Sequence, residues 1–153
     1  MYKRILVPVD GSRTSNLGLN QAIELAKNQR AKLRAVNVVD ELVIVQNVDM
    51  AGLSGELLDA LEQGGKTILK NAKALCARHG IKAETALYKT VGGRAADTIV
   101  DEAKKWRADL IVIGTHGRRG LRRLVLGSDA EAVARTAPVP VMLVRPGEAK
   151  RAR

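Results

Sequence analysis

The chain has 153 residues, and its 26 basic against 16 acidic residues give a formal net charge of +10 at pH 7. This length suits one ordinary domain with its own core, and a single cysteine, Cys76, excludes an internal disulfide. The charge indicates an anionic partner, whereas one tryptophan, two tyrosines and no phenylalanine argue against a stacking platform for single-stranded nucleic acid.

The first half of the chain alternates short apolar runs with an amphipathic stretch. Branched apolar residues fill 3–9 and 32–39, which predicts two strands buried on both faces. Between them, apolar residues recur at helical spacing from Leu19 to Ala26, so a helix is expected to run to about Asn28. The segment 40–55 has no clear period and receives no assignment.

The second half continues the alternation. Residues 56–78 keep one helical phase, with Gly80 as the C-terminal cap, and helices are also predicted at 94–107 and from Ser128. The start at Ser128 rests on a Ser-x-x-Glu capping box with Glu131. Strands are predicted at 83–89, 110–113 and 138–144, and Pro140 favours an edge position for the last because proline cannot donate a ladder hydrogen bond.

One glycine pair imitates a phosphate loop. The run ALEQGGKT at 60–67 resembles a relaxed Walker A sequence, but a true P-loop follows a strand. Here the helical phase continues through Gly64 and Gly65, so we predict a helix and no phosphate site.

The alternation of strands and helices predicts an α/β domain in three layers. Its open, mainly parallel sheet of five strands would carry helices on both faces, as in Rossmann-like folds. Ligands of such sheets bind beyond the carboxyl ends of the strands, where the strand order reverses. The first and fourth strands end at Asp10 and Gly114, which places the candidate site between them.

The stretch from Gly114 to Ser128 has the features of a phosphate loop. Its glycines let backbone N–H groups approach an anion, and the N-terminus of the following helix adds further donors. Four arginines also lie in it, of which Arg118 is the strongest candidate for a phosphate clamp; the others are Arg119, Arg122 and Arg123.

Three alternatives stay open for these residues. The glycines can simply permit a turn in a plain connection, and Ser128 can be an ordinary N-cap. Asp10 can contact ribose hydroxyls or a phosphate-bound Mg²⁺, or it can only fix the turn at Gly11.

Several segments resemble the universal stress proteins, in their ATP-binding branch. The similar segments are ILVPVDGS at 5–12 and VNVVD at 36–40, and the family's Gly-x2-Gly-x9-Gly-Ser/Thr motif is met by Gly114, Gly117, Gly127 and Ser128. The resemblance covers almost the whole chain, and it implies an adenine nucleotide alpha hydrolase-like fold that binds ATP (or ADP or AMP) with Mg²⁺.

The resemblance also implies site residues. The adenine and ribose would be bordered by Pro8, Val9, Asp10, Val38 and Ile113. The phosphates would lie on Gly114, Gly117, Gly127, Ser128 and the backbone of Asp129, with Arg118 beside them. No side chains are expected to ligate a metal directly, although Asp10 can lie near a phosphate-bound Mg²⁺.

Two positions depart from the family pattern. Asn37 stands where many members have histidine. Asp129 follows Ser128 where a small or apolar residue is common, and its carboxylate would repel phosphates unless it points away.

The sequence as a whole predicts a cytoplasmic, adenine-nucleotide-binding regulatory protein of the stress response. No apolar run approaches a membrane span, and neither a membrane nor nucleic acid is an expected partner. The resemblance implies a homodimer formed through the edge strand that contains Val139 and Val144. Residues 1–147 would form one domain and 148–153 a basic tail.

Catalysis is not predicted, because no nucleophile, base and orienting group converge in the sequence. Slow ATP hydrolysis or self-phosphorylation is a family-level possibility only. The alternatives are an adenylating enzyme of the related adenine nucleotide alpha hydrolase type and a basic nucleic-acid-associated module.

Overall fold

The computed structural model describes residues 1–42, 54–115 and 126–146. In chain order, the helices and strands of these ranges are β1 (Arg4–Pro8), α1 (Arg13–Gln29), β2 (Lys32–Asp40), α2 (Ser54–Arg78), β3 (Glu84–Thr90), α3 (Ala95–Trp106), β4 (Leu110–Gly114), α4 (Ser128–Thr136) and β5 (Val141–Val144). Each predicted strand and helix is present, which confirms the α/β class.

The strands form one five-stranded sheet in the order β3-β2-β1-β4-β5. Every neighbouring pair is parallel, and Leu6 of β1 lies opposite Arg34 of β2 and Ile111 of β4. From β1 the chain winds outwards to β2 and β3 and then crosses to β4 on the other side. The strand order therefore reverses between β1 and β4, as the sequence predicted, and a crevice is expected at their carboxyl ends.

A hydrophobic core lies on each face of the sheet. Helices α1 and α2 cover one face, and α3 and α4 cover the other. Cys76 of α2 belongs to the first core, and burial raises the pKa of its thiol to about 11. A neutral, buried thiol is a poor nucleophile, so Cys76 is a core residue as predicted.

Strand β5 is shorter than its apolar sequence suggested. It begins at Val141, after Pro140, although the Pro140 carbonyl accepts a hydrogen bond of 3.0 Å from the Ile111 N–H. The predicted edge position is confirmed.

Helix α2 runs without interruption through the glycine pair, which confirms that it is no P-loop. A Cβ atom at Gly65 would lie 2.7 Å from Asn37 Oδ1 and 2.7 Å from Leu87 Cδ1, whereas one at Gly64 would meet nothing within 4 Å. Gly65 is therefore required where the helix closely approaches β2 and β3.

Alanine substitutions at these two glycines should change the free energy of unfolding in opposite directions. Gly65→Ala is expected to lower the free energy of unfolding by about 1 to 3 kcal/mol, because the new methyl group overpacks the core against the Asn37 amide. Gly64→Ala is the matched control and should raise it by up to about 1 kcal/mol through helix propensity. Urea denaturation of both variants measures the difference, and stabilisation by both would contradict this packing.

A polar network crosses the α3 face of the sheet. Arg34 pairs with Glu84 and with Glu102, which is only 3% exposed, and the Tyr88 hydroxyl donates to Glu102. Hydrogen bonding by Arg34 lowers the pKa of the Glu84 carboxyl, while burial and the bond to Glu102 raise the pKa of Tyr88 to about 12. The Arg34 guanidinium lies 4.8 Å from the centre of the Trp106 ring. The network thus ties α3 to β2 and β3.

Candidate functional site

The turn after β1 is closed by its own side chains. Asp10 Oδ1 accepts a hydrogen bond of 2.9 Å from the Ser12 N–H, and Gly11 between them has a φ of 79°, which favours glycine. Ser12 is the N-cap of α1, and its Oγ accepts from the Ser15 N–H at 3.2 Å. The turn-fixing role of Asp10 is therefore present, and its contact with a ligand stays a prediction.

Gly114, at the end of β4, lies directly against the first turn of α1. A Cβ atom at this position would be 2.5 Å from the Thr14 carbonyl oxygen and 2.9 Å from the Ser15 nitrogen. Both atoms belong to the backbone, so no change of side-chain rotamer can relieve the contact. Glycine is needed here so that α1 can begin where β4 ends.

Backbone hydrogen bonds hold together the two ends of the glycine loop. The Thr115 N–H donates to the Val144 carbonyl at 2.8 Å, and the Thr115 carbonyl accepts from the Gly127 N–H at 2.7 Å. The start of α4 therefore lies next to the carboxyl end of β4. Sequence reasoning missed Thr115, because its role depends on backbone groups that any residue carries.

Helix α4 begins at Ser128 as predicted, but the capping box is wrong. The N-cap is Gly127, and no side chain among the described residues caps the helix. The first helical bond runs from the Glu131 N–H to the Gly127 carbonyl at 2.9 Å, so the N–H groups of Ser128, Asp129 and Ala130 precede it. These donors point out of the helix start, where a phosphate can accept them.

Apolar residues near the carboxyl ends of β1, β2 and β4 lie on the α3 and α4 face of the sheet. Val38 and Ile113 belong to that face, and Pro8 shares it because it follows Leu6 by two residues. Val9 points into the opposite core. Its N–H donates to the Val36 carbonyl and its carbonyl accepts from Asn37 Nδ2 at 2.7 Å, and its contact with a nucleotide stays a prediction.

The structure thus gathers many of the predicted site residues at the carboxyl ends of β1 and β4. Those brought together are Pro8, Asp10, Ile113, Gly114, Gly127 and Ser128, with Val38 at the neighbouring end of β2. Asp129 is exposed at the second position of α4. Gly117, Arg118 and the tail 148–153 lie outside the described residues.

The described residues contain neither a metal-binding cluster nor a membrane-spanning helix. Across 1–42, 54–115 and 126–146, no three His, Cys, Asp or Glu side chains are grouped so that they could hold a metal ion. Within the same ranges, no helix combines the length and the apolar character needed to cross a membrane.

Comparison with known proteins identifies the family. The family model for universal stress proteins matches residues 1–145. The chain belongs to the universal stress protein family. A universal stress protein of Methanocaldococcus jannaschii is 37% identical over 95% of this chain and 83% of its own length. The predicted resemblance to this family is thereby confirmed.

Solved universal stress proteins share the fold. UspA from Lactobacillus plantarum is 30% identical with a TM-score of 0.80, covering 94% of this chain and 98% of its own. The universal stress protein from Archaeoglobus fulgidus, solved in complex with dAMP, is 26% identical with a TM-score of 0.67 and covers 94% and 98%.

Proposed function

We propose that the chain binds an adenine nucleotide in the crevice at the carboxyl ends of β1 and β4. One observation carries this proposal: the hydrogen bond between the Gly127 N–H and the Thr115 carbonyl, which brings the start of α4 to the end of β4. The donors at the helix start and its positive dipole end favour a phosphate at this point.

The apolar residues near the carboxyl ends of β1, β2 and β4 support an adenine base. Pro8, Val38 and Ile113 share one face of the sheet, and a purine ring needs such an apolar, flat neighbour. The dAMP complex of the Archaeoglobus fulgidus relative supports adenine over other bases. Asp10, at the end of β1, is the candidate for ribose hydroxyls.

The finer proposal is ATP with Mg²⁺. Glycines at 114, 117 and 127 would let backbone N–H groups approach several phosphate oxygens, and Arg118 would supply a charge-assisted contact. Asp10 can approach a metal ion that the phosphates hold, and exposed Asp129 must direct its carboxylate away from them. Binding would regulate the protein, and turnover is not required.

The proposal extends to the location and the assembly of the protein. Residues 1–147 would act as one nucleotide-binding domain in the cytoplasm. The edge strand β5 carries Leu143, which is 40% exposed, and it would pair with a second copy to form a homodimer.

Ser128→Glu tests the phosphate site without disturbing the fold. Ser128 is exposed at the first position of α4, where an added carboxylate favours the helix dipole but repels a phosphate. We expect roughly a tenfold or greater loss of ATP affinity, measured by calorimetry, with a melting temperature that is unchanged or higher.

The matched control is Ala134→Glu, which adds the same charge to an exposed position later in the same helix. It should leave ATP affinity nearly unchanged. Equal affinity of Ser128→Glu and Ala134→Glu for ATP would contradict a phosphate at the start of α4.

A further inference from the structure

A groove runs along the free edge of the sheet, far from the β1 and β4 crevice in strand order. Strand β3 is the last strand on this side, and α2 packs over β2 and β3. Between α2 and β3 lies a groove of about 420 Å³, which we call the edge groove; its lining residues are Lys66, Leu69, Lys70, Lys73, Thr85 and Leu87.

The backbone of β3 can accept another strand. One side of β3 pairs with β2 over its full length, from Arg34 opposite Glu84 to Asp40 opposite Thr90. No strand of the described part of the chain pairs with its other side. Every second residue of such an edge directs its N–H and C=O outwards, which is the arrangement that an added strand uses.

The wall of the edge groove is positively charged. Lys66, Lys70 and Lys73 are exposed at helical spacing on one face of α2. Lys66 pairs with Glu62 at 2.8 Å, whereas Lys70 and Lys73 form no ion pair with a described residue. The floor is apolar, because Leu69 is buried and Leu87 half-buried. The edge groove therefore combines lysine side chains, an apolar floor and a strand edge that no described strand pairs with.

We propose that the edge groove binds an extended acidic segment of a partner protein as an additional strand on β3. Alternate side chains of a strand recur about every 7 Å on one face. Lys66 and Lys70 are four residues apart on the helix, about 6 Å along its axis, and Lys70 and Lys73 are three apart, about 4.5 Å. Carboxylates at alternate positions of the segment can thus come within reach of Lys66, Lys70 and Lys73, whose side chains are long and flexible, while the methylene groups of the same acidic side chains contact the floor.

The same features disfavour other occupants. A second copy pairing β3 with β3 would bring its own lysine row towards this one, and like charges repel. A nucleic acid could contact the lysines, but none of the described residues that line the edge groove is aromatic and able to stack on a base, and the β3 amides would stay unpaired. An acidic peptide satisfies both the charges and the strand edge.

The probe is a fluorescent, end-blocked peptide that alternates glutamate with valine, titrated with the full chain at low salt. We expect saturable binding by anisotropy, and protection of amides in Glu84–Thr90 from hydrogen exchange. A peptide with lysine in place of glutamate, and one with an N-methylated backbone, should both bind roughly tenfold more weakly or worse.

Charge reversal locates the site. Lys70→Glu with Lys73→Glu should weaken binding roughly tenfold or more, whereas Lys104→Glu with Lys105→Glu, an equal charge change at exposed positions of α3, should not. The melting temperature of each variant checks its folding. The proposal is overturned if the acidic peptide does not bind, if the N-methylated peptide binds equally well, or if an oligonucleotide of equal charge displaces it at equal concentration.

Discussion

Glu102→Ala is expected to lower the free energy of unfolding by about 3 kcal/mol, because it removes the buried one of the two carboxylates that pair with Arg34 and leaves the Tyr88 hydroxyl without its acceptor. The Glu102 carboxylate is 3% exposed and accepts from Arg34 Nη1 at 2.5 Å and from the Tyr88 hydroxyl. Without it, Arg34 keeps Glu84, which is far more exposed, and the face of the Trp106 ring. Chemical denaturation with urea, followed by circular dichroism, measures the loss.

Asp101→Ala is the matched control for Glu102→Ala. Asp101 is the preceding residue of α3, and its exposed carboxylate lies 3.6 Å from Lys104 Nζ. Exposed ion pairs of this kind contribute less than about 1 kcal/mol, so the free energy of unfolding of this variant should be close to that of the original chain. A loss of similar size in both variants would show that the buried network does not carry the stability assigned to it.

Gly114→Ala is expected to cost about 3 kcal/mol of unfolding free energy and to reduce nucleotide binding. The new Cβ would lie 2.5 Å from the Thr14 carbonyl oxygen and 2.6 Å from the Thr14 carbonyl carbon. Because these are backbone atoms, α1 must move away from β4, which is the costly form of overpacking. The displaced turn carries Asp10 and the start of α1, so the site changes with it.

Gly18→Ala provides the graded comparison for Gly114→Ala. Gly18 faces the same contact from the α1 side, but its added Cβ would lie 3.2 Å from the Gly114 nitrogen and meet nothing nearer. A shift of a few tenths of an ångström relieves this contact, and alanine improves helix propensity, so we expect a change within about 1 kcal/mol. Equal costs in both variants would contradict the close approach at Gly114.

The strands followed from the sequence because they depend on local information, and the switch point followed from the α/β class, in which ligands bind where the strand order reverses. Buried parallel strands are continuous apolar runs, so the bounds of the first four were found to within one residue, and β4 ends at Gly114. The start of β5 was placed too early because Val139 is apolar but precedes the ladder, which begins after Pro140.

Features that depend on the assembled fold escaped prediction. Arg34, Glu84 and Glu102 are far apart in the sequence, and only the register that sets Arg34 opposite Glu84 unites them. Glu102 is one of several charged residues in an ordinary amphipathic helix, so the sequence gave no signal that its side chain is buried. The capping box was wrong because Gly127, held by Thr115, takes the N-cap position and moves Ser128 into the helix.

The most direct test of nucleotide binding is mass spectrometry of the small molecules that the purified chain releases on denaturation. The melting temperature is measured on the same preparation with and without ATP and Mg²⁺. We predict an adenine nucleotide among the released molecules and a rise in melting temperature, because a ligand that binds only the folded chain stabilises it. Release of no nucleotide, together with no effect of ATP and Mg²⁺ on melting, would contradict the proposed function.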